Sequence, residues 1–203
     1  WVYAKGVSDP DQMSNVPNAL AEQFAILTSR VIDQAESEDG TIKLLIELED
    51  GQTIECVAMP STKRVTACLS TQVGCAMRCG FCASGADGFV RNLRSGEILE
   101  QLIHLAQATG KRISNAVFMG MGEPLANFKA TVDAIYGMID PDRFGLSARH
   151  ITLSTVGLPD MILKLADEGL PITLAISLHA PNDVLRREIM PTAESTTIVQ
   201  ILK

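Results

Sequence analysis

Val65–Cys82 reads VTACLSTQVGCAMRCGFC: an apolar run of strand length, then a loop carrying Cys75, Cys79 and Cys82 in C-x3-C-x2-C spacing. Working outward, the same kind of strand recurs at Asn115–Met119, Ile151–Ser154 and Ile172–Leu178. Helical patterns fall between them. The first spans Gly96–Ala108, with Ile98, Leu102 and Leu105 on one face, Ser95 expected as N-cap and Gly110 after the end. The second spans Lys129–Ile139 before Pro141, the third Pro159–Asp167 before Gly169, and a fourth starts near Asn182. Strands that are almost continuously apolar and alternate with helices predict an α/β fold of parallel β/α units, its sheet covered by helices. Four units are visible, too few to close a barrel. Either the sheet is open or its remaining strands lie beyond Lys203.

Residues 1–64 have a different character. Pro17 followed by Ala19, Leu20, Phe24 and Leu27 predicts a short amphipathic helix. Two runs of period-two alternation follow, Thr41–Glu49 and Gln52–Ala58, joined by Asp50-Gly51, a strong hairpin signal. Alternation turns Glu55 away from the face that carries Ile54 and Cys56. The expected organisation is a helix-plus-hairpin segment over 1–64, a link at Pro60–Arg64, and a main domain over 65–203.

At 203 residues and 46% apolar, the chain can bury a substantial core. It has no apolar run long enough for a membrane helix and no charged-then-apolar leader, so a cytoplasmic protein without a membrane partner is expected. Five cysteines, three of them within eight residues, do not form a disulfide framework and suit a reducing compartment. A net charge of −7 gives no support to bulk nucleic-acid binding. RNA contacts would rest on Lys63-Arg64, Arg91 with Arg94, Lys111-Arg112 or Arg186-Arg187, each by itself an ordinary solvated surface. The chain opens on Trp1 and stops in what reads as the start of a helix, so a piece of a longer protein is expected.

Three thiolates from one short loop suit a four-iron, four-sulfur cluster with one iron left free of protein ligands, a place for a small molecule to bind. Zinc is the bland alternative, but zinc sites usually add a second Cys pair or two His. Here His104, His150 and His179 lie far apart in helix or strand patterns. In β/α folds ligands gather at the carboxyl ends of the strands. The first strand runs into the cysteine loop, and the second ends in Met119-Gly120-Met121-Gly122-Glu123-Pro124. The third ends at Ser154-Thr155, the fourth at Ser177-Leu178-His179. The glycine pair is expected to let the backbone approach a ligand, with Pro124 fixing the turn that presents Glu123 to an ammonium group. Ser154 and Ser177 offer hydroxyls. Taken singly, the glycine run is only a turn, the serines only helix caps and His179 only a structural histidine.

Taken together, LSTQVGC (69–75), GFVRNL (88–93), MGMGEPLAN (119–127), ITLSTVG (151–157) and AISLHAPND (175–183) resemble the RlmN/Cfr family of the radical S-adenosylmethionine (radical SAM) superfamily. The resemblance runs over nearly the whole chain. It implies a partial (β/α) radical-SAM barrel and an enzyme that methylates adenine C2 in 23S ribosomal RNA and, for RlmN, in certain transfer RNAs. It implies a [4Fe-4S] cluster on Cys75, Cys79 and Cys82, and S-adenosylmethionine contacts at Gly122, Glu123, Ser154, Ser177, Leu178 and His179. Glu55 matches a base that removes the ring proton, and Cys68 a thiol that resolves a protein–RNA crosslink. The residues alone make Cys68 a buried strand thiol and Glu55 a solvent-facing one. An electron donor such as flavodoxin or ferredoxin is also implied.

Adenine C2 is electron-poor and has no nucleophilic lone pair, which is why the family uses a radical. Its methyl-carrying cysteine lies near the C-terminus, and no cysteine follows Cys82 here. The 203 residues are therefore expected to hold a cluster yet not to methylate RNA unaided. C8 methylation of the Cfr type, another radical SAM enzyme without a methylated cysteine, and a non-catalytic metal-binding or RNA-binding module remain as alternatives.

Overall fold

A computed structural model describes residues 2–5, 7–14, 26–86 and 88–203. Its larger sheet runs in the order β1 (Arg30–Glu36), β2 (Ile42–Glu47), β3 (Thr53–Pro60), β4 (Val65–Cys68), β7 (Asn115–Phe118), β8 (Ile151–Thr155), β9 (Thr173–Ile176). A second, two-stranded sheet pairs β5 (Gln72–Gly74) with β6 (Phe89–Asn92). The helices are α1 (Val2–Lys5), α2 (Ser95–Thr109), α3 (Phe128–Ile139), α4 (Pro159–Asp167), α5 (Asp183–Ile189) and α6 (Ile198–Ile201). Strands β4, β7, β8 and β9 are parallel, as the strand–helix alternation predicts. The sheet is open among the described residues. The helix expected after Pro17 lies outside them.

Period-two burial decides which face does what. Leu44, Ile54, Ala58, Ala67, Phe118 and Leu153 are at most 1% exposed and join Ile98, Leu102 and Ile135 of α2 and α3 in one core. Each such Leu, Ile or Phe contributes roughly 1.5–3 kcal/mol relative to exposure. On the opposite face Glu55, Val57, Cys68, Val117, Thr152 and Ser154 are only half-buried. The second face is the one left open to a ligand.

The hairpin of β2 and β3 forms in the expected register, with Leu44 opposite Cys56 and Leu45 opposite Glu55. Its loop has three residues rather than two. Leu48 N–H donates to the Gln52 carbonyl at 2.8 Å, and Gly51 takes the left-handed position at φ +79°. β3 then pairs antiparallel with β4 across residue 64, and 61–64 form the turn between them, closed by Ser61 N–H to the Arg64 carbonyl at 2.7 Å. β1 had no sequence signal: RVIDQAE does not alternate, because all seven residues of this edge strand are exposed. Its entry is tied to α2, where Glu100 accepts the backbone N–H groups of Thr28 and Ser29, both at 2.9 Å, and Ser29 Oγ meets His104 Nε2 at 3.0 Å.

Helix α2 begins one residue earlier than expected, so Ser95 is not its cap. Arg94 stands there, and the Glu97 carboxylate reaches back to accept the Arg94 N–H at 2.7 Å. Gly110 ends the helix at φ +62°, as predicted. Helix α4 has its expected bounds. Of the cations expected on solvated surfaces, Lys63, Arg64, Arg94, Lys111, Arg112 and Arg187 are exposed, whereas Arg91 and Arg186 are not. Arg91 bridges Asp50 at 2.6 Å and Glu97 at 3.0 Å, and Arg94 pairs with Glu49 at 3.0 Å. Arg186 is buried, held by the carbonyls of Val156 (2.6 Å) and Thr196 (2.9 Å). Arg112 Nη2 binds the Phe144 carbonyl at 2.8 Å.

Candidate cofactor and metal site at the strand ends

β4 leads through Leu69–Thr71 into β5, and the cysteine loop leaves the fold between β5 and β6. Its base is pinched shut. Cys75 N–H donates to the Gly88 carbonyl at 2.9 Å, and a Cβ on Gly74 would lie 1.9 Å from that same oxygen. Only glycine permits this approach. Inside the loop Cys82 N–H donates to the Cys79 carbonyl at 3.0 Å and Gly85 N–H to the Cys82 carbonyl at 3.2 Å. Arg78 takes a left-handed φ of +50°. A Cβ on Gly85 would sit 3.2 Å from the Arg78 Cα, so the loop curls tightly on itself.

Cys75 is buried, Cys79 half-buried and Cys82 exposed. Burial pushes the thiol pKa of Cys75 and Cys79 up, and for Cys79 the neighbouring Cys75 and Cys82 add to the rise. The three are thus within electrostatic reach of one another and, for Cys75 and Cys79, of Glu123. Among the described residues no three His, Cys, Asp or Glu side chains converge on one metal ion. Three thiols carried by one short loop are the donor type that an iron–sulfur cluster takes.

The other strand ends are stitched to this loop. Glu123, 2% exposed, accepts Leu125 N–H at 3.0 Å on Oε1 and Val156 N–H at 2.8 Å on Oε2, so it joins the ends of β7 and β8. Burial raises its pKa, offset in part by those bonds and one from Thr155. The glycines beside it allow a close approach of chain to chain, in addition to the ligand approach expected of them. A Cβ on Gly120 would lie 2.8 Å from the Leu69 carbonyl carbon, and one on Gly122 2.6 Å from Gln72 Cβ. They let this loop close on the chain entering the cysteine loop. Ser154 and Ser177, at the ends of β8 and β9, share a hydrogen bond of 2.9 Å. Leu178 is half-buried, and its carbonyl accepts the Ala180 N–H at 2.8 Å. His179 adopts φ +58° and lays its ring 4.6 Å from that of Phe81, inside the cysteine loop. From α5, the Ile189 carbonyl accepts Gly80 N–H at 2.9 Å.

Glu55 lies on the open face, its Oε1 2.8 Å from Lys43 Nζ. Its carbonyl accepts Ser70 Oγ–H at 2.5 Å, and Ser70 Oγ accepts Met121 N–H at 2.8 Å, which ties the hairpin to the Gly-x-Gly loop. A cavity of about 310 Å³ lies between hairpin and cysteine loop, lined by Leu45, Glu55, Val73, Ser84, Val90 and Met121. Cys68, on the open face between Val57 and Val117, is half-buried rather than buried, and burial raises its pKa. A further cavity of about 300 Å³, near Tyr3, Gln107 and Phe144, adjoins the chain entering β7; Lys111 and Arg112 line it, but none of the expected cofactor, metal or catalytic residues does. Gln72, Ser70, Asn127 and Phe81 were missed: buried amides and hydroxyls that bind backbone leave no periodic signal, and Phe81 read only as a spacer between cysteines.

Residues 69–203 match the Radical SAM superfamily. A protein of Synechococcus sp. named "Probable dual-specificity RNA methyltransferase RlmN" is 46% identical over 196 residues, covering 95% of this chain and 55% of its own length. One of the same name from Thermotoga maritima is 45% identical over 207 residues, covering 100% and 60%. The crystal structure of a radical SAM methyltransferase from Sphaerobacter thermophilus superposes with a TM-score of 0.94 at 38% identity, covering 100% of this chain and 62% of that one. The chain thus spans between half and two thirds of the length of these relatives.

Proposed function

The chain belongs to the radical SAM superfamily, and from that premise we propose that it is the cofactor-binding part of an RNA methyltransferase acting on C2 of adenine in 23S ribosomal RNA and in transfer RNA. One observation carries the reading: the ends of β4, β7, β8 and β9 are joined by hydrogen bonds and ring contact around a single three-cysteine loop. Cys75, Cys79 and Cys82 would hold a [4Fe-4S] cluster, leaving one iron for S-adenosylmethionine. When bound, that pair supplies the one-electron chemistry that a carbon without a nucleophilic lone pair requires.

The protein's own residues bind, orient and move protons. Glu123 keeps one unused acceptor position for the ammonium of S-adenosylmethionine, since its two oxygens offer four and Leu125, Val156 and Thr155 take three. Gly122 brings that carboxylate against the cysteine loop. The hydroxyls of Ser154 and Ser177, with Leu178 and His179, line the path of the ribose and carboxylate. Glu55 faces the cavity an unstacked base would enter, and its carboxylate accepts the ring proton while Lys43 holds it in place. Cys68 would release product by attacking, as thiolate, the sulfur of the protein–RNA crosslink, an S–S bond forming as the C–S bond breaks and the carbon takes up a proton. Burial raises its pKa, so a base must first take the thiol proton. Residues 65–203 carry the cofactor site, and residues 1–64 extend the sheet and contribute Glu55. The enzyme works in the cytoplasm with an electron donor such as flavodoxin or ferredoxin. Among the described residues no helix is long and apolar enough to cross a membrane.

Anaerobic reconstitution tests the reading. A brown protein with about four irons per chain, whose reduced spectrum changes when S-adenosylmethionine is added, supports it. A colourless protein holding one tight zinc refutes it.

A further inference from the structure

We propose that Gln72 is the positioning residue that holds Glu123 at its working distance from the cysteine loop. This rests on the reading of Glu123 as a cofactor contact. Gln72 is 1% exposed and lies three residues before Cys75, about 10 Å along an extended chain. Both ends of its side-chain amide are used. Oε1 accepts Glu123 N–H at 2.9 Å, and Nε2 donates to Asn92 Oδ1 at 2.8 Å. Its backbone N–H also donates to the Met121 carbonyl at 3.2 Å.

One side chain therefore spans three pieces of the site: the strand entering the cysteine loop, the strand leaving it, and the loop that carries Glu123. The remaining bonds around Glu123 fix its carboxylate, through Leu125 and Val156. Gln72 fixes its backbone. The glycine at 122 follows from the same contact, since a Cβ there would overlap Gln72 Cβ at 2.6 Å. A nearby amide, Asn127 Nδ2, donates to the carbonyls of Thr71 and Leu93 at 2.8 Å each, so the frame stays closed when Gln72 alone is altered.

The test uses Gln72→Met, which keeps length and removes both bonds, in the gene product expressed with its whole coding sequence. In the apo protein, hydrogen exchange at the Glu123 amide should accelerate. After reconstitution iron content should match the parent, while KM for S-adenosylmethionine rises roughly tenfold with a smaller change in kcat, as for one lost hydrogen bond. Gln72→Glu still offers Glu123 an acceptor, and a turned Asn92 amide donates to it, so it should restore slow exchange. Unchanged exchange and unchanged KM overturn the proposal. If Gln72→Met does not fold, Asn92→Leu at the exposed end of the pair should raise KM in the same direction, and no rise there also overturns it. Glu123→Gln run beside them separates the two ideas. If it leaves S-adenosylmethionine binding intact, the cofactor reading of Glu123 fails, whereas binding lost there and kept in Gln72→Met sinks only the role of Gln72.

Discussion

Replacing Gly122 with Ala should cost far more than the same change at Gly51, and the structure says by how much. Both glycines have positive φ, +102° and +79°. At Gly51 an added Cβ meets nothing within 4 Å, so the cost is conformational alone, about 1–2 kcal/mol. At Gly122 the φ lies beyond the left-handed minimum, a strain of about 1–3 kcal/mol. The new Cβ would also stand 2.6 Å from Gln72 Cβ and 2.8 Å from Gln72 N. One of those atoms is backbone, so relief requires the Glu123 loop to move away from β5, adding about 1–3 kcal/mol of overpacking. Gly122→Ala should therefore destabilise by about 2–6 kcal/mol, against about 1–2 kcal/mol for Gly51→Ala. Urea unfolding of the apo protein measures both. Equal midpoint shifts for the two variants, with unchanged slopes, would show that the close approach of the Gly-x-Gly loop to Gln72 is not the reason for glycine.

Other expectations follow from the same contacts. Glu97 has a side chain 1% exposed; burial raises its pKa, but bonds from Arg91 and Arg94 N–H outweigh this and hold it low. Arg91→Met should cost about 2–3 kcal/mol, less than the 3–5 for a wholly abandoned buried charge, because Arg94 still reaches Glu97 at 3.3 Å; a loss below about 0.5 kcal/mol refutes the pairing. Burial lowers the pKa of His104, against the opposing pull of Glu100. The unfolded chain then binds the proton more readily, so stability should decline as pH falls through the ordinary histidine value near 6.5. Equilibrium unfolding at stepped pH should show this decline and its flattening in His104→Gln; a parent curve level between pH 7.5 and 5.5 refutes it. Cys79→Ala should abolish both cluster assembly and reductive cleavage of S-adenosylmethionine, measured as methionine release, and persistent release would show that the ligands are wrongly assigned.

The parallel half of the fold was legible because its strands are short apolar runs and its helices carry clear stops, as with α4 and Gly110. The hairpin was legible because alternation made Leu44 and Ile54 core and Glu55 half-exposed. β1, β5 and β6 were not: β1 is an edge strand exposed throughout, and the other two have three and four residues with burial set by neighbours distant in sequence. Cysteine spacing and the Gly-x-Gly-Glu run picked out segments that the structure brings together at the strand ends. They did not reveal that the glycines serve a chain-to-chain contact, nor that Arg186 and Arg91 are internal ties rather than surface cations. Those facts depend on which segments meet in space, and no local pattern encodes them.

The pinched neck between Gly74 and Gly88 closes the cysteine loop at its base by protein contacts alone. Its two ends are welded to each other by β5 and β6, and two further contacts, Gly80 N–H to the Ile189 carbonyl and Phe81 against His179, hold its interior to the domain. Because these ties need no metal, loss of the proposed cluster to air should leave the fold standing and ready to be recharged.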